Sequence, residues 1–219
     1  MRRPWIIASL LPAAVAATGL VFGPTFPASA DPCPQVEVVF ARGRIEPPGP
    51  GRVGEAFVDA LRSKTPRTVG YYAVNYPADT EIVIGANDMS RHIQYMAANC
   101  PNTKLVLGGY SLGAAVTDVV LGVPAPAFGY DNPLPLGMND HIAAVALFGN
   151  GTRKVLGPVS EISPLYGYKT IDLCTADDPI CNNNLDPNTW IGDFPAHLQA
   201  AYIDSGLVDQ AAAFVAARL

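Results

Sequence analysis

The sequence predicts an α/β fold: a three-layer sandwich whose mainly parallel central sheet of about five strands is covered by helices on both faces. Three observations carry that expectation. Short runs that are apolar on both faces recur along the chain, helix-period patterns separate them, and one run ends in the turn Gly109-Tyr110-Ser111-Leu112-Gly113. A strand buried on both faces reads as a continuous apolar run, and its alternation with helices is the pattern of a parallel sheet with right-handed crossovers.

Val36 to Phe40, rich in β-branched residues, is the first such run. Val69 to Tyr76, Lys104 to Leu107 and Ile142 to Phe148 repeat the pattern, and Lys169 to Leu173 is the last candidate strand. Helical patterns cover Gly54 to Ser63, with Ala56, Phe57, Ala60 and Leu61 on one stripe, then Ile82 to Asn99 and Ala114 to Leu121. Segments near Ala196 to Ile203 and Val208 to Leu219 close the chain. Two irregular stretches are long and apolar: Gly122 to Asp140, with Phe128, Tyr130, Leu134, Leu136 and Met138, and Asn182 to Pro195, with Trp190, Ile191 and Phe194. Loops of that kind often border a binding site.

Residues 1–30 carry Arg2 and Arg3, an apolar stretch from Trp5 to about Phe22 broken by Pro12 and Gly19, and Ala28-Ser29-Ala30 before Asp31. These are the three parts of a secretory signal peptide, so the mature chain is expected to run from Asp31 to Leu219 as a single domain with no interdomain linker. The formal net charge is −5, two units more negative once Arg2 and Arg3 are removed. An acidic chain without a basic run is not drawn to nucleic acid. The expectation is a secreted monomer whose partner is a small molecule or lipid, with transient contact to a lipid or cell-envelope surface.

Cys33, Cys100, Cys174 and Cys181 all lie in the mature part, and an even count in an exported chain points to two disulfides. Of the three pairings, the spacing suits a local staple between Cys174 and Cys181, leaving a long-range bridge from Cys33 to Cys100. No C-x-x-C spacing and no nearby histidine supports zinc, and no metal is expected.

The apolar strand before Ser111 and the apolar helix after it give the G-x-S-x-G turn the context of a nucleophile elbow rather than of a serine that merely caps a helix. Export and the absence of a lysine within the turn argue against a nucleotide-binding loop. A serine hydroxyl needs a base, and in elbow enzymes the order along the chain is serine, acid, histidine. Of three histidines, His92 precedes the serine and is expected as a solvated helix residue, and His141 opens a strand behind Asp140, where a structural role is expected. His197 remains. The loop Cys174-Thr175-Ala176-Asp177-Asp178-Pro179-Ile180-Cys181 offers two adjacent carboxylates, either of which suits the acid.

The elbow, the C-x-x-x-D-x-x-C register of Cys174, Asp178 and Cys181, the late histidine and Phe40-Ala41-Arg42-Gly43 at the end of the first strand together resemble the cutinase family, with the mycobacterial-type secreted members most similar. The resemblance covers nearly all of the mature chain. It implies an α/β-hydrolase fold of minimal size without a lid, a serine esterase needing no cofactor, and a triad of Ser111, Asp178 and His197. It selects Asp178 over Asp177 and pairs Cys33 with Cys100. It also implies an oxyanion hole from the backbone N–H of Leu112 and of the residue after Arg42-Gly43. There the family usually has serine or threonine, and this chain has Arg44. Loss of one oxyanion donor costs on the order of a hundred- to a thousandfold in rate. Three readings follow: an esterase for short to medium acyl chains, lipids or polyester; a phospholipase or lipase for charged lipids; and a weakly active secreted binding protein impaired at Arg44.

Overall fold

The structure is a computed structural model that describes residues 33–182 and 194–219. The expected signal segment, Trp190 and Ile191 lie outside the described residues. Five parallel strands form the sheet: β1 Val36–Ala41, β2 Val69–Ala73, β3 Lys104–Tyr110, β4 Ile142–Phe148 and β5 Thr170–Leu173, in spatial order β2-β1-β3-β4-β5. Helices α1 Gly51–Lys64, α2 Ile82–Asn99 and α3 Leu112–Gly122 are the crossovers, followed by the single-turn helices α4 Arg153–Leu156 and α5 Val159–Ile162. Helices α6 Gln199–Asp204 and α7 Leu207–Ala216 end the chain. Among the described residues no helix is long and apolar enough to cross a membrane.

Period-two alternation splits the core into two layers. Val39 and Ala41 of β1, Leu105 and Leu107 of β3, and Val145 and Leu147 of β4 pack with α2 and α3. Val38 and Phe40, Val106, and Ala144, Ala146 and Phe148 face α1 and α7. In that second layer Phe40, Phe57 and Phe148 form a three-ring cluster with centroids 5.8–6.3 Å apart. Tilted and edge-on rings of this kind stabilise by about 0.5–1.5 kcal/mol per pair beyond area burial.

Several boundaries move from the expected ones, each for a reason of long-range contact. β3 continues through Gly108 and Gly109, which sequence alone marks as poor strand formers. Gly108 is required because Phe40 fills the space where its Cβ would stand, 2.7 Å away. β2 stops at Ala73 because the carbonyls of Val74 and Tyr76 turn instead to the buried Arg42 guanidinium. α1 starts three residues early because Glu46 Oε1 accepts the Arg52 amide at 2.9 Å, satisfying one of the helix's orphan donors from outside. Lys169 ends a short 3₁₀ turn, and its buried ammonium donates to the carbonyls of Asn139 and Ile142.

His92 is not a solvated residue. Alternation puts Glu37 on the α2 side of β1, and His92 Nε2 meets Glu37 Oε2 at 2.7 Å while its ring stacks on Tyr72 with centroids 3.5 Å apart. His141 does hold a strand entry: its N–H donates to Met138 O and its carbonyl accepts the Leu105 amide. The Gly122–Asp140 segment buries Tyr130 and, with α5, walls a cavity of about 510 Å³ at the C-terminal end of α3, away from the serine at its N-terminal end.

Both disulfides are present as expected, Cys33 with Cys100 and Cys174 with Cys181. One residue grouping among those described has ligand-like spacing. That grouping, Cys174, Asp178 and Cys181, has both sulfurs committed to a disulfide.

Candidate active site

From β1 the chain moves out to β2 and returns to β3 on the other side of β1. The strand order therefore reverses between β1 and β3, and the crevice at their carboxyl ends is the topological switch point where open α/β sheets place ligands. Ala41 pairs with Gly109 there, so the turn after β1 runs beside the turn after β3.

Ser111 sits at the apex of the second turn with φ 54° and ψ −116°, a conformation that L-residues rarely hold. It is held in place by its amide, which donates to Phe148 O at 2.8 Å. The flanking glycines are a steric necessity. A Cβ on Gly113 would stand 1.9 Å from Ala41 O, and one on Gly109 would stand 2.1 Å from Gly113 O.

The structure brings the three expected side chains together. Ser111 Oγ lies 2.8 Å from His197 Nε2, and His197 Nδ1 lies 2.6 Å from Asp178 Oδ2. Asp178 is 0% exposed and His197 5%, whereas Asp177 faces solvent. The register of the stapled loop decides between the two acids. Asp178 Oδ1 accepts the Ile180 amide at 2.7 Å within the loop, and its Oδ2 accepts the Tyr202 hydroxyl as well as His197. Burial alone would push Asp178 up; the His197 and Tyr202 bonds, the His197 charge and the Ile180 amide outweigh it and hold the carboxyl below its usual value. His197 ends a short 3₁₀ turn, Phe194–His197, and its carbonyl accepts the Tyr110 hydroxyl while the two rings stack at 5.6 Å. Phe194, the one described member of the expected loop aromatics, packs against the His197 ring at 5.7 Å.

Leu112 opens α3, so its N–H is one of the helix's orphan donors at the positive end of the helix dipole. Arg44 lies in the neighbouring turn Gly43–Glu46, where Glu46 N donates to Gly43 O at 3.3 Å and Ile45 takes φ 65°. That turn is tightly determined. Glu46 Oε2 accepts the Gly43 amide at 2.7 Å, Arg42 Nε donates to Glu46 O at 2.8 Å, and Ile45 N donates to Ala78 O at 2.7 Å. The Arg44 side chain is exposed, and its charge adds to the Thr80 and Glu81 amides in holding Asp79 below its usual value.

Sequence reasoning missed Tyr202 and Glu46 outright, and quoted Tyr110 and Arg42 within motifs without seeing what they bond. Each acts through a partner 3 to 87 residues away in the chain, and neither periodicity nor spacing marks them.

The cutinase family model matches residues 32–219. A Mycobacterium tuberculosis protein described as "Probable carboxylesterase Culp2" is 58% identical over 97% of this chain and 93% of its own length. The M. tuberculosis "Phospholipase Culp4" is 51% identical over 97% and 92%. Among solved structures, Trichoderma reesei cutinase with a phosphonate inhibitor is similar at TM-score 0.63 and 32% identity, covering 84% of this chain and 76% of that one. The catalytic core of T. reesei acetyl xylan esterase is similar at TM-score 0.68 and 25% identity, covering 85% of this chain and all of that one. This chain belongs to the cutinase family and is a carboxylic ester hydrolase.

Proposed function

We propose that this protein is a secreted, monomeric serine esterase that works through an acyl-enzyme on Ser111, with His197 as the proton carrier and Asp178 as its orienting acid. The reading rests on one observation: a continuous relay from Ser111 Oγ through His197 to a fully buried carboxylate, with links of 2.8 and 2.6 Å, behind a serine held at positive φ.

In this reading the Ser111 hydroxyl donates to Nε2, and Asp178 fixes the tautomer by accepting the Nδ1 proton. Ser111 Oγ attacks the ester carbonyl as its proton passes to His197. The N–H groups of Leu112 and Arg44 take the charge that develops on the carbonyl oxygen. Collapse of the tetrahedral species breaks the bond to the alcohol, which leaves with the proton from Nε2. Water, deprotonated by His197, then attacks the acyl-enzyme and frees the carboxylic acid and Ser111. The second oxyanion donor is a backbone group, so arginine at position 44 does not remove it. What the chain lacks is the extra hydroxyl usual at that position.

The substrates proposed are esters of short to medium acyl chain, with lipid or polyester esters included. One observation favours a second reading, hydrolysis of anionic lipids: Arg44 places an exposed guanidinium on the turn beside the reactive serine, and a relative of similar length bears the name phospholipase. Hydrolysis of an ester series of graded acyl length, beside a neutral and an anionic phospholipid, tests both. Wild type should cleave short esters and Ser111→Ala none; hydrolysis that survives Ser111→Ala contradicts the proposal.

A further inference from the structure

Tyr202 lies on α6, five residues after His197, and is 0% exposed. Its hydroxyl donates to Asp178 Oδ2, the atom that also receives His197 Nδ1. Its ring stands edge-on to His197, Tyr110 and Phe148 at 6.5, 5.6 and 6.4 Å. Gly149 makes the approach feasible: a Cβ there would stand 3.0 Å from both the Tyr202 hydroxyl oxygen and His197 Cε1. Cys181 Sγ lies 3.2 Å from the same hydroxyl, but a disulfide sulfur is a far weaker acceptor than a carboxylate, so the tyrosine proton goes to Asp178 Oδ2.

We propose that Tyr202 is a positioning residue of the hydrolytic site: its hydroxyl anchors Asp178 Oδ2 and thereby sets the pH at which His197 is free to accept the serine proton. The proposal rests on the Ser111, His197, Asp178 reading above. A second donor on Oδ2 draws negative charge away from the atom that faces the imidazole and weakens its hold on the imidazolium. Two other anchors leave Oδ2 free to swing: the Ile180 amide holds only Oδ1, and the Cys174–Cys181 staple holds only the loop backbone. A phenylalanine would fill the same space and keep every ring contact, so packing alone does not call for the hydroxyl.

The charged and titratable groups around this atom leave few other sources for such an effect. His197 bonds it directly, Tyr110 feels the Asp178 charge while Glu46 acts on Tyr110 from the neighbouring turn, and the Lys154 ammonium donates to the Pro179 carbonyl one residue along the same loop at 2.8 Å. Asp177 and Asp204 are exposed to solvent. Burial, reinforced by the Asp178 carboxylate, pushes the Tyr202 hydroxyl up, so it stays protonated and remains a donor throughout the working range.

The test is the pH profile of kcat/KM for Tyr202→Phe on a soluble ester, with active sites counted by a phosphonate that labels serine hydrolases. The acid limb should move to higher pH by about half a unit or more, with kcat lowered and KM within about twofold of wild type. A second variant carries 3-fluorotyrosine at position 202, a stronger donor of nearly the same size, and should move the limb to lower pH. An unmoved limb in both variants, with only a lower melting temperature, overturns the proposal. Wild type that takes no label at Ser111 overturns the triad reading itself, which separates the two failures.

Discussion

Gly113 and Ala41 meet backbone to backbone: a single Cβ on Gly113 would stand 1.9 Å from the Ala41 carbonyl oxygen. This contact packs the first turn of α3 against the end of β1. It brings the orphan N–H of Leu112 and the turn bearing Arg44 to one spot beside Ser111. Neither atom can yield, because Ala41 is in the β1–β3 ladder and Gly113 is in the helix. Gly113→Ala should therefore destabilise by about 3 kcal/mol, the upper end of the usual overpacking range, because neither backbone can yield. Urea unfolding of the variant measures this, and a loss below about 1 kcal/mol would show that the helix and strand can separate.

The two disulfides should have opposite balances of stability and activity. The Cys33–Cys100 bridge closes a loop of 67 residues' separation and Cys174–Cys181 one of 7. Loop-closure entropy gives about 4 kcal/mol for the first and about 2–3 for the second. Only the second holds the loop that carries Asp178. Replacing Cys33 and Cys100 by serine should cost more in melting temperature, and replacing Cys174 and Cys181 should cost more in kcat. Melting curves and kinetics on the two double variants check the inversion.

Behind the site, Asn150 Nδ2 bridges two buried carboxylates, Asp118 Oδ2 at 2.9 Å and Asp172 Oδ2 at 3.2 Å. Burial pushes both acids up, Asp172 to about 6 despite Arg153 beside it. Below about pH 4 Asp172 is neutral in both the folded and unfolded chains. Between about 4 and 6 the unfolded chain ionises while the folded one keeps its proton, so stability falls as pH rises. Above 6 the full penalty, on the order of 2–3 kcal/mol, is present. Asp172→Asn keeps an acceptor for Asn150 and should raise the melting temperature above pH 6 while leaving it unchanged near pH 4. A variant less stable than wild type at pH 8 would contradict this.

On the proposed mechanism, Arg44→Thr adds a hydroxyl at the oxyanion position and leaves the backbone N–H in place. It should raise kcat on a neutral short ester about tenfold, a modest part of what one oxyanion donor contributes. It should also lower activity on an anionic phospholipid relative to a neutral one. Steady-state kinetics on the three substrates decide it, and equal effects on all three would remove Arg44 from any role in charge selection.

The architecture was legible where burial on both faces leaves an unbroken apolar run, as at Val36 and Ile142, and where α2 shows helical periodicity from Ile82 to Asn99. It was not legible where a distant side chain decides the backbone. Gly108 and Gly109 are in β3 because Phe40 and Gly113 occupy their Cβ positions, and α1 begins early because Glu46 caps it. His92 was misread because its partner, Glu37, is fifty-five residues away.

The meeting of the three candidate side chains was legible by order: serine in an elbow, acids in a stapled loop, a late histidine. Spacing and residue type leave Asp177 and Asp178 equivalent, and only the C-x-x-x-D-x-x-C register shared with the cutinase family separated them in the sequence. The carboxylate that turns inward is the one that finds the Ile180 amide, Tyr202 and His197 together, and only the folded chain assembles those three.

The account's central claim is that Ser111 is the nucleophile. Intact-mass and peptide mapping after treatment with a reactive phosphonate measure it directly. One adduct per molecule on the peptide containing Ser111, absent in Ser111→Ala and strongly slowed in His197→Ala, is the predicted result. An adduct at another residue, or one that persists in Ser111→Ala, would contradict the account.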